Sequence, residues 1–223
     1  MNNEEVYTFF KEIGVEQLHH ANTVLTACTF LSEGGLLSRG FVEDRGLPQT
    51  WQNTDEIDKK YDIWHDLFFD DVDIHNRTSR QNFYGSVLFT YDLEVLLELD
   101  TPPVAITKSN PKIWTDKQTV HDRYFSSLDE LRSKYKIGKF GQMITLRNAR
   151  TPLTFEHLKE IIVDAPEITH EEINLGQYAF ERIARAAELR GINEKVKKRD
   201  CWFCNCYSDD NTPEWALKRF FIA

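Results

Sequence analysis

The chain has 223 residues, a formal net charge of -9, and 13% aromatic and 28% charged residues. That length suffices for one well-buried core, and the composition is typical of a folded domain. The negative charge argues against a general nucleic-acid coat protein, whose affinity rests on neutralising phosphates. Apolar runs are too short to span a membrane, and the acidic start lacks a signal-peptide pattern. We therefore expect a cytoplasmic protein without a membrane partner.

The first third of the chain carries two helix signals. Residues 4–13 place Val6, Phe9 and Phe10 on one face, as an amphipathic helix does. Residues 23–31 are also apolar at helical spacing, and the glycines that follow end the pattern. Residues 39–62 are polar and rich in turn formers. A loop of that length is uncommon in a compact domain and is often a functional lid, which we predict here.

Short strands and helical turns are predicted to alternate through the middle of the chain. The strongest strand covers residues 85–91, after a part-strand, part-turn segment at 62–75. Weaker signals follow: a helical turn or second apolar run at 93–99, strands at 104–107, 143–146 and 160–163, a helix at 128–135 and a helical turn at 154–159.

The last predicted helix has a start signal and a stop signal. Thr169 and Glu172 have the spacing of a capping box, Gly191 would end the helix, and Ile173 would lie on its apolar face. Strands and helices mixed without a regular β-α-β repeat predict an α+β fold. We expect one domain over 1–223, with a C-terminal helix and cysteine-containing tail at about 168–223. Basic residues concentrated over 181–199 form either a phosphate-binding face or a solvated one.

A two-part motif surrounds the 23–31 helix. Residues 18–23 read LHHANT and residues 34–40 read GGLLSRG, so polar side chains just before and just after one helix can converge on one ligand. This arrangement resembles the opening motif of ADP-ribosyltransferases, specifically the DarT-like branch that modifies nucleic acid. That family has a short Leu-Tyr-His-Ile-Thr strand before the helix and Gly-Leu-Leu-Ser-Arg after it. His20 falls on the family histidine, and His19 stands where the tyrosine usually is.

The resemblance implies a split, mostly antiparallel β-sheet with surrounding helices, and a cleft that takes NAD as co-substrate. It implies that His20 holds the adenosine-side ribose, with Asn22 also in the cofactor site, and that Ser38 and Arg39 hold the diphosphate. Tyr84, next to Phe83, precedes the strongest strand, where aromatic rings often stack on nicotinamide in these enzymes. Core packing explains these two rings equally well.

The family also carries a catalytic glutamate at the mouth of a late strand, before two or three aliphatic residues. Glu160 matches that placement, and Glu156 is its competitor one helical turn away. A carboxylate there stabilises the oxocarbenium-like state of nicotinamide–ribose cleavage, binds the ribose 2′-hydroxyl or deprotonates the nucleophile. Glu160 and Arg39 are therefore the expected catalytic residues. Arg77 is a further candidate for anion contact.

The match is good over residues 18–39 and moderate around Glu160. Where DarT-like enzymes have an Asp-Tyr-Val-Pro-Phe-Tyr-Phe segment, residues 65–73 read HDLFFDDVD, and the extra arginine of those enzymes has no assigned counterpart. We expect an NAD-dependent mono-ADP-ribosyltransferase with nucleic acid favoured over protein as acceptor; RNA, a protein side chain or a small molecule stay open. The family resemblance alone also implies a toxin or phage-defence role. It further implies an antitoxin or another protein partner.

Other interpretations stay open. An acidic cluster could hold Mg²⁺ or Mn²⁺ for phosphodiester hydrolysis, because hard cations prefer oxygen ligands. A catalytically degenerate fold could serve as a binding or inhibitor module. In the cluster of Cys201, Cys204 and Cys206, the pair Cys201-x-x-Cys204 has metal-ligand spacing, but a structural zinc site usually takes four ligands. His121, His157 or His170 could supply the fourth, yet nothing in the sequence selects one, so we expect no metal. The acidic cluster comprises His65, Asp66, Asp70, Asp71, Asp73 and His75.

Overall fold

The computed structural model describes residues 1–77, 84–98, 100–201, 217 and 219–220. Its helices are α1 (Asn3–Glu12), α2 (Val24–Glu33), α3 (Arg39–Asp44), α4 (Asp55–Lys60), α5 (Ile74–Arg77), α6 (Val120–Arg123), α7 (Leu128–Lys134) and α8 (Leu175–Arg190). Short 3₁₀ turns cover Leu93–Leu97, Pro111–Ile113 and Asn193–Lys195. Within these described ranges, no helix has both the length and the apolar content needed to cross a membrane.

The strands are β1 (Gln17–Asn22), β2 (Gly35–Leu36), β3 (Leu67–Phe69), β4 (Val87–Asp92), β5 (Val104–Ile106), β6 (Ile144–Leu146), β7 (Leu153–Thr154), β8 (Leu158–Ala165), β9 (Thr169–His170), β10 (Ile173–Asn174) and β11 (Val196–Asp200). They form a four-stranded main sheet in the order β1-β4-β8-β11 and a three-stranded sheet in the order β3-β6-β5. All pairs in both sheets are antiparallel except β8 with β11. The predicted α+β fold with a split, mostly antiparallel sheet is confirmed.

The junction between the two sheets lies beside β1. His19 and Asp70 form an isolated β-bridge, and each backbone N–H donates to the other's carbonyl at 2.9 Å. This bridge joins the first strand of the main sheet to the residue after β3. Strand β1 therefore lies between the main sheet and the three-stranded sheet. The sequence motif predicts a ligand at the end of this strand.

Helix α2 forms where its capping residues predict it. The Thr23 hydroxyl accepts a hydrogen bond from Thr26 N, and Gly34 ends the helix at φ +85°, a conformation that glycine adopts without steric cost. Arg190 Nε from the end of α8 donates to the Leu31 carbonyl at 2.9 Å, which satisfies one of the last carbonyl groups of α2. These contacts fix the segment between β1 and β2 rigidly against α8.

The predicted long loop over residues 39–62 is wrong. The segment contains α3 and α4, each of six residues, which is too short to show helical periodicity in the sequence. The stretch between them is tied to α2: Thr29 Oγ1 donates to the Pro48 carbonyl at 2.7 Å, and Thr50 N donates to Thr26 Oγ1 at 3.0 Å. The segment is therefore a fixed wall and not a lid.

The predicted start of the last helix is also wrong. Asn174 caps α8 by accepting from Gln177 N at 2.8 Å, whereas Thr169 lies in the short β9–β10 hairpin. Glu171 and Glu172 form its turn at φ +47° and +67°. Glutamate rarely adopts this conformation, so the sequence does not predict a turn there. Ile173 is 40% exposed and lies outside the helix. The predicted end at Gly191 is confirmed by its φ of +75°.

The remaining predictions over the described residues agree with the structure at most positions. Helix α1, strands β4, β5 and β6, and helix α7 lie within two residues of the predicted bounds. The helical turn predicted over 154–159 is wrong, because β7 ends at Thr154 and β8 begins at Leu158. In the C-terminal tail, residues 202–216, 218 and 221–223 lie outside the described part of the chain.

Candidate functional site

A cleft of about 150 Å³ opens where β1 ends, between α2, the wall that contains α3 and α4, and β3. Its lining combines apolar and polar side chains, as small-molecule sites commonly do. Its polar and charged lining residues are His19, His20, Asn22, Thr26, Arg39, Gln49, Gln52, Thr54, Asp58, Asp66, Asp70, Asn110 and Lys112. Its apolar and aromatic lining residues include Phe30, Leu37, Ile63, Trp64, Leu67, Phe68, Ile74 and Tyr84.

The His20 ring is held in one tautomer at the floor of this cleft. Its Nδ1 lies 2.8 Å from the Phe68 carbonyl, which can only accept, so Nδ1 carries the proton. Nε2 is then the acceptor, 3.4 Å from Asn22 Nδ2. Burial of the ring lowers the pKa of His20, and the bond to Phe68 opposes this. His20 is therefore a neutral imidazole whose Nε2 can accept a ligand hydroxyl.

A close backbone approach fixes Asn22 and brings Tyr84 to the cleft. Gly85 has φ +144°, and a Cβ there would lie 2.1 Å from the carbonyl of Asn22, so only glycine fits. Asn22 is 5% exposed, and its Oδ1 accepts from Thr23 N at 2.9 Å. Tyr84, the residue before Gly85, lines the cleft and is 38% exposed. Tyr84 therefore forms part of the cleft surface.

The Arg39 guanidinium lies on the wall of the cleft with donors to spare. Nη2 donates to the Asp55 carboxylate at 2.7 Å and to the Thr50 carbonyl at 3.1 Å, and the group lies 5.2 Å from the centre of the Trp64 ring. Nε and Nη1 are buried without a hydrogen-bond partner among the described residues. Buried donors without partners are unfavourable. A ligand anion that reached Arg39 would supply the missing acceptors.

Asp58 is a cleft residue that the sequence analysis missed. Burial raises the pKa of its carboxyl to about 7, and the neighbouring Asp55 adds to this while Arg39 opposes it. A carboxyl that titrates near neutral pH in a cleft is typical of a functional site. The sequence contains no signal for it, because the shift arises from tertiary packing around α4. Asp58 is thus a second candidate proton acceptor beside Glu160.

The Asp58 carboxyl makes stability depend on pH in a defined direction. Its pKa is about 7 in the folded chain and close to the ordinary aspartate value of about 4 in the unfolded chain. The folded state then binds more protons between these values, so the free energy of unfolding falls as pH rises through this window. Asp58→Asn removes this titration, and its Tm should fall less than that of the wild type between about pH 5 and about pH 8.

The control for this measurement is Asp129→Asn, which changes an exposed aspartate on α7. It should keep the pH profile of the wild type. Identical profiles for the wild type and Asp58→Asn would show that the Asp58 carboxyl is not perturbed.

Ser38 does not lie where the resemblance implies. It is 1% exposed, and its hydroxyl donates to the Ala149 carbonyl at 2.8 Å and accepts from Phe41 N at 3.3 Å as the cap of α3. It is absent from the cleft lining. We therefore correct its predicted contact with a diphosphate: a serine directly before a helix is also a capping signal, and the structure uses it that way.

Glu160 lies on the main sheet beside the cleft and not in its lining. It pairs with Thr90, and Thr90 pairs with His19, so these three side chains share one face of the sheet. His20 and Asn22 point to the other face, because side chains alternate along β1. Two strand spacings separate Glu160 from His19, which is roughly 10 Å. Its competitor Glu156 is exposed in the turn before β8.

The acidic cluster does not converge on a common point. Asp66 forms an ion pair with Arg147 at 2.7 Å, Asp73 pairs with Arg199, and Asp71 accepts from a backbone amide at 2.9 Å. Over the described ranges, no group of three ligands that could hold a metal includes these aspartates. The predicted Mg²⁺ or Mn²⁺ site therefore has no support in the geometry.

The other sequence candidates either have internal roles or lie outside the described residues. In the basic segment, Arg190 caps α2 and Arg199 binds Asp164, which removes both from a surface phosphate face. Arg77 ends α5, but its side chain is not described. Phe83, Cys204 and Cys206 lie outside the described part of the chain.

Comparisons with known proteins concern the fold. No family model matches the chain, and no curated protein matches it. Thermus sp. 2.9 DarT in complex with ADP-ribosylated ssDNA is similar at 12% identity with a TM-score of 0.49, over 87% of this chain and 97% of that chain. Thermus sp. 2.9 DarT in complex with carba-NAD+ is similar at 12% identity with a TM-score of 0.46, over 87% of this chain and 99% of that chain.

Proposed function

We propose that the protein is an NAD-dependent mono-ADP-ribosyltransferase. The observation that carries this proposal is the set of groups around the cleft. A neutral His20, whose Nε2 makes only a 3.4 Å contact with Asn22 Nδ2, suits a ribose hydroxyl. The spare donors of Arg39 suit a diphosphate, and the partly exposed ring of Tyr84 suits a flat base or nicotinamide. These are the three chemical parts of a dinucleotide.

The charges of the cleft are compatible with a dinucleotide. Asp66 is compensated by Arg147, and Asp58, with a pKa of about 7, is partly protonated near neutral pH. Arg39 pairs with Asp55 through Nη2 only. A diphosphate next to Nε and Nη1 of Arg39 therefore meets less repulsion than the number of cleft carboxylates suggests.

The proposed chemistry divides two roles between two carboxyl groups. Cleavage of the nicotinamide–ribose bond builds positive charge on the ribose, and a fixed carboxylate stabilises it. We assign this role to Glu160, on the His19 face of the main sheet. Asp58 titrates in the range suited to accepting the proton of an incoming nucleophile near neutral pH.

We propose a nucleic acid as the acceptor, a toxin or phage-defence role, and an antitoxin or other protein partner. The support for these is the family resemblance of the sequence motif. The test is incubation with labelled NAD and separate pools of DNA, RNA and protein. We expect label in a nucleic-acid pool; label in the protein pool alone would overturn the acceptor, and label in none would overturn the transfer activity.

A binding module without turnover is the second candidate. The observation in its favour is the position of Glu160 outside the cleft lining. A ligand could then occupy the His20 and Arg39 positions without meeting a carboxylate suited to bond cleavage. The two candidates agree on NAD binding and differ on turnover.

Both candidates predict that NAD raises the Tm of the purified protein. A ligand that binds only the folded state at a hundred times its Kd contributes about 2.7 kcal/mol. In a chain of this size each kcal/mol shifts Tm by roughly 2–4 °C. His20→Ala removes the Nε2 acceptor and should reduce this NAD-induced shift, measured against each variant's own Tm without NAD.

The matched control is His121→Ala, which changes an exposed histidine on α6. It should keep the full NAD-induced shift. If saturating NAD leaves the Tm of the wild type unchanged, both candidate functions are wrong.

A further inference from the structure

Three side chains of the types that bind metals come together from distant parts of the chain, outside the set of residues that line the cleft. His75 lies in α5, Asp164 near the end of β8, and Cys201 directly after β11. One ligand atom from each lies within 4.8 Å of both others. His75 Nδ1 is 3.7 Å from Asp164 Oδ2 and 3.9 Å from Cys201 Sγ.

These distances are close to those of a coordination shell. Zinc holds nitrogen and oxygen ligands at about 2.0–2.2 Å and sulfur at about 2.3 Å, so tetrahedral ligands are roughly 3.3–3.8 Å apart. For a nitrogen–oxygen pair the tetrahedral separation is about 3.4 Å and for a nitrogen–sulfur pair about 3.6 Å, so the two measured separations are each about 0.3 Å longer. The sulfur and the carboxylate oxygen lie within 4.8 Å of each other. Binding a zinc ion therefore requires the three side chains to draw closer together.

The arrangement differs from a nucleophilic triad. In a Cys-His-Asp triad the thiol and the carboxylate contact opposite nitrogens of the imidazole. Here both face the same Nδ1 of His75. Cys201 is also only 3% exposed, so a substrate does not reach its sulfur. A sulfur and a carboxylate oxygen on the same side of the imidazole are what a cation bound at Nδ1 requires. In the absence of a cation the Cys201 thiol donates to the Arg199 carbonyl at 3.4 Å.

The neighbouring charges suit a divalent cation. Arg199 donates to Asp164 Oδ1 and leaves Oδ2 directed toward His75, which orients the carboxylate as partners behind metal ligands do. Arg199 also pairs with Asp73. A zinc ion at +2 would compensate the Cys201 thiolate and the two carboxylates that share the Arg199 guanidinium. Such compensation lowers the cost of burying charge.

We propose that His75, Asp164 and Cys201 bind a zinc ion that holds the end of β11 to β8 and α5. A thiolate with an imidazole and a carboxylate favours zinc over calcium or magnesium, which prefer oxygen ligands alone. The sequence predicts no metal, because His75 and Asp164 are far from Cys201 along the chain and no local spacing joins them. The site lies apart from the cleft and does not depend on the proposed transferase function.

The test is metal analysis of the full chain, followed by cobalt titration of the chelator-treated protein. We expect about one zinc per chain, a lower Tm after chelation, and a thiolate-to-cobalt charge-transfer band on titration. His75→Ala and Cys201→Ser should each weaken cobalt binding by at least about a hundredfold, since each removes a direct ligand. Cys28→Ser, on α2, changes a thiol outside the site and should keep the band.

Three results would overturn the site. One is a folded wild type that shows no charge-transfer band at saturating cobalt. Another is a band of wild-type strength in folded His75→Ala or Cys201→Ser, which would locate the metal elsewhere. The third is an unchanged Tm of the wild type after complete chelation. This measurement also tests the site if both variants fail to fold.

Discussion

Glu160→Gln is expected to lower ADP-ribose transfer by at least about a hundredfold while NAD binding survives. The substitution keeps the size of the side chain and removes its charge. An oxocarbenium-like state would lose its fixed counter-charge, whereas the ground state, which lacks that charge, would lose little. The measurement pairs the rate of label transfer from NAD with the NAD-induced shift in Tm. A fall in rate with an unchanged shift is the predicted signature.

The matched control is Glu156→Gln. Glu156 is exposed in the turn before β8, so its substitution should be nearly silent. The reverse ranking would show that the catalytic glutamate was wrongly chosen. Full activity in both variants would show that neither glutamate stabilises the charge on the ribose. Asp58 would then be the remaining candidate for a catalytic carboxylate. A wild type that binds NAD without cleaving it would favour the binding module.

Expression in a host cell is a companion test of the same variant. If the acceptor is an essential host molecule, the wild type should impair growth and Glu160→Gln should not. Equal impairment by both would mean that the harm does not arise from transfer. The comparison therefore links the chemistry of one carboxylate to the proposed toxin role.

The position of Glu160 makes this result informative about how the ligand lies. The row His19–Thr90–Glu160 runs across three strands on the face opposite His20. His20 and Asn22 lie on the other face, so the side chain of His20 and that of Glu160 are on opposite sides of the main sheet. A selective loss of rate in Glu160→Gln would show that the reacting ribose lies on the Glu160 face.

Local signals predicted the part of the fold that builds the cleft. The apolar spacing over 23–31 and the glycine stop at Gly34 agree with α2 and its C-cap in the structure, because both signals are local. The helix between the LHHANT and GGLLSRG motifs was therefore predictable, the strand before it was implied by the family resemblance, and the two-residue strand β2 was not predicted. His20, Asn22, Arg39 and Tyr84 all line the cleft that this order creates.

Other features depend on contacts that no local pattern contains. Helices α3 and α4 are too short to show periodicity, and the pKa of Asp58 reflects packing around α4. The group of His75, Asp164 and Cys201 forms only when α5, β8 and β11 come together. Thr169 and Glu172 have capping-box spacing, yet Asn174 caps α8. The reason is that Thr169 and Glu172 belong to the β9–β10 hairpin, which precedes the helix.

Arg39→Ala is expected to lower the free energy of unfolding by about 3–5 kcal/mol, because it leaves a buried carboxylate without its partner. The ion pair with Asp55 is well shielded, with side-chain exposures of 15% for Arg39 and 7% for Asp55. Adding Asp55→Asn removes the orphaned charge, so the double variant should recover most of the loss. Urea unfolding of both single variants and the double variant measures this.

The double variant also separates the structural role of Arg39 from its proposed role as a ligand. If Nε and Nη1 bind the diphosphate, the double variant should fold stably and still lose most of the NAD-induced shift in Tm. Asp55→Asn alone keeps the guanidinium and should retain that shift. A double variant with the wild-type shift would show that Arg39 only supports the wall of the cleft. In that case the diphosphate contact has to come from another lining group, and Lys112 is the remaining cationic side chain among the described residues of the lining.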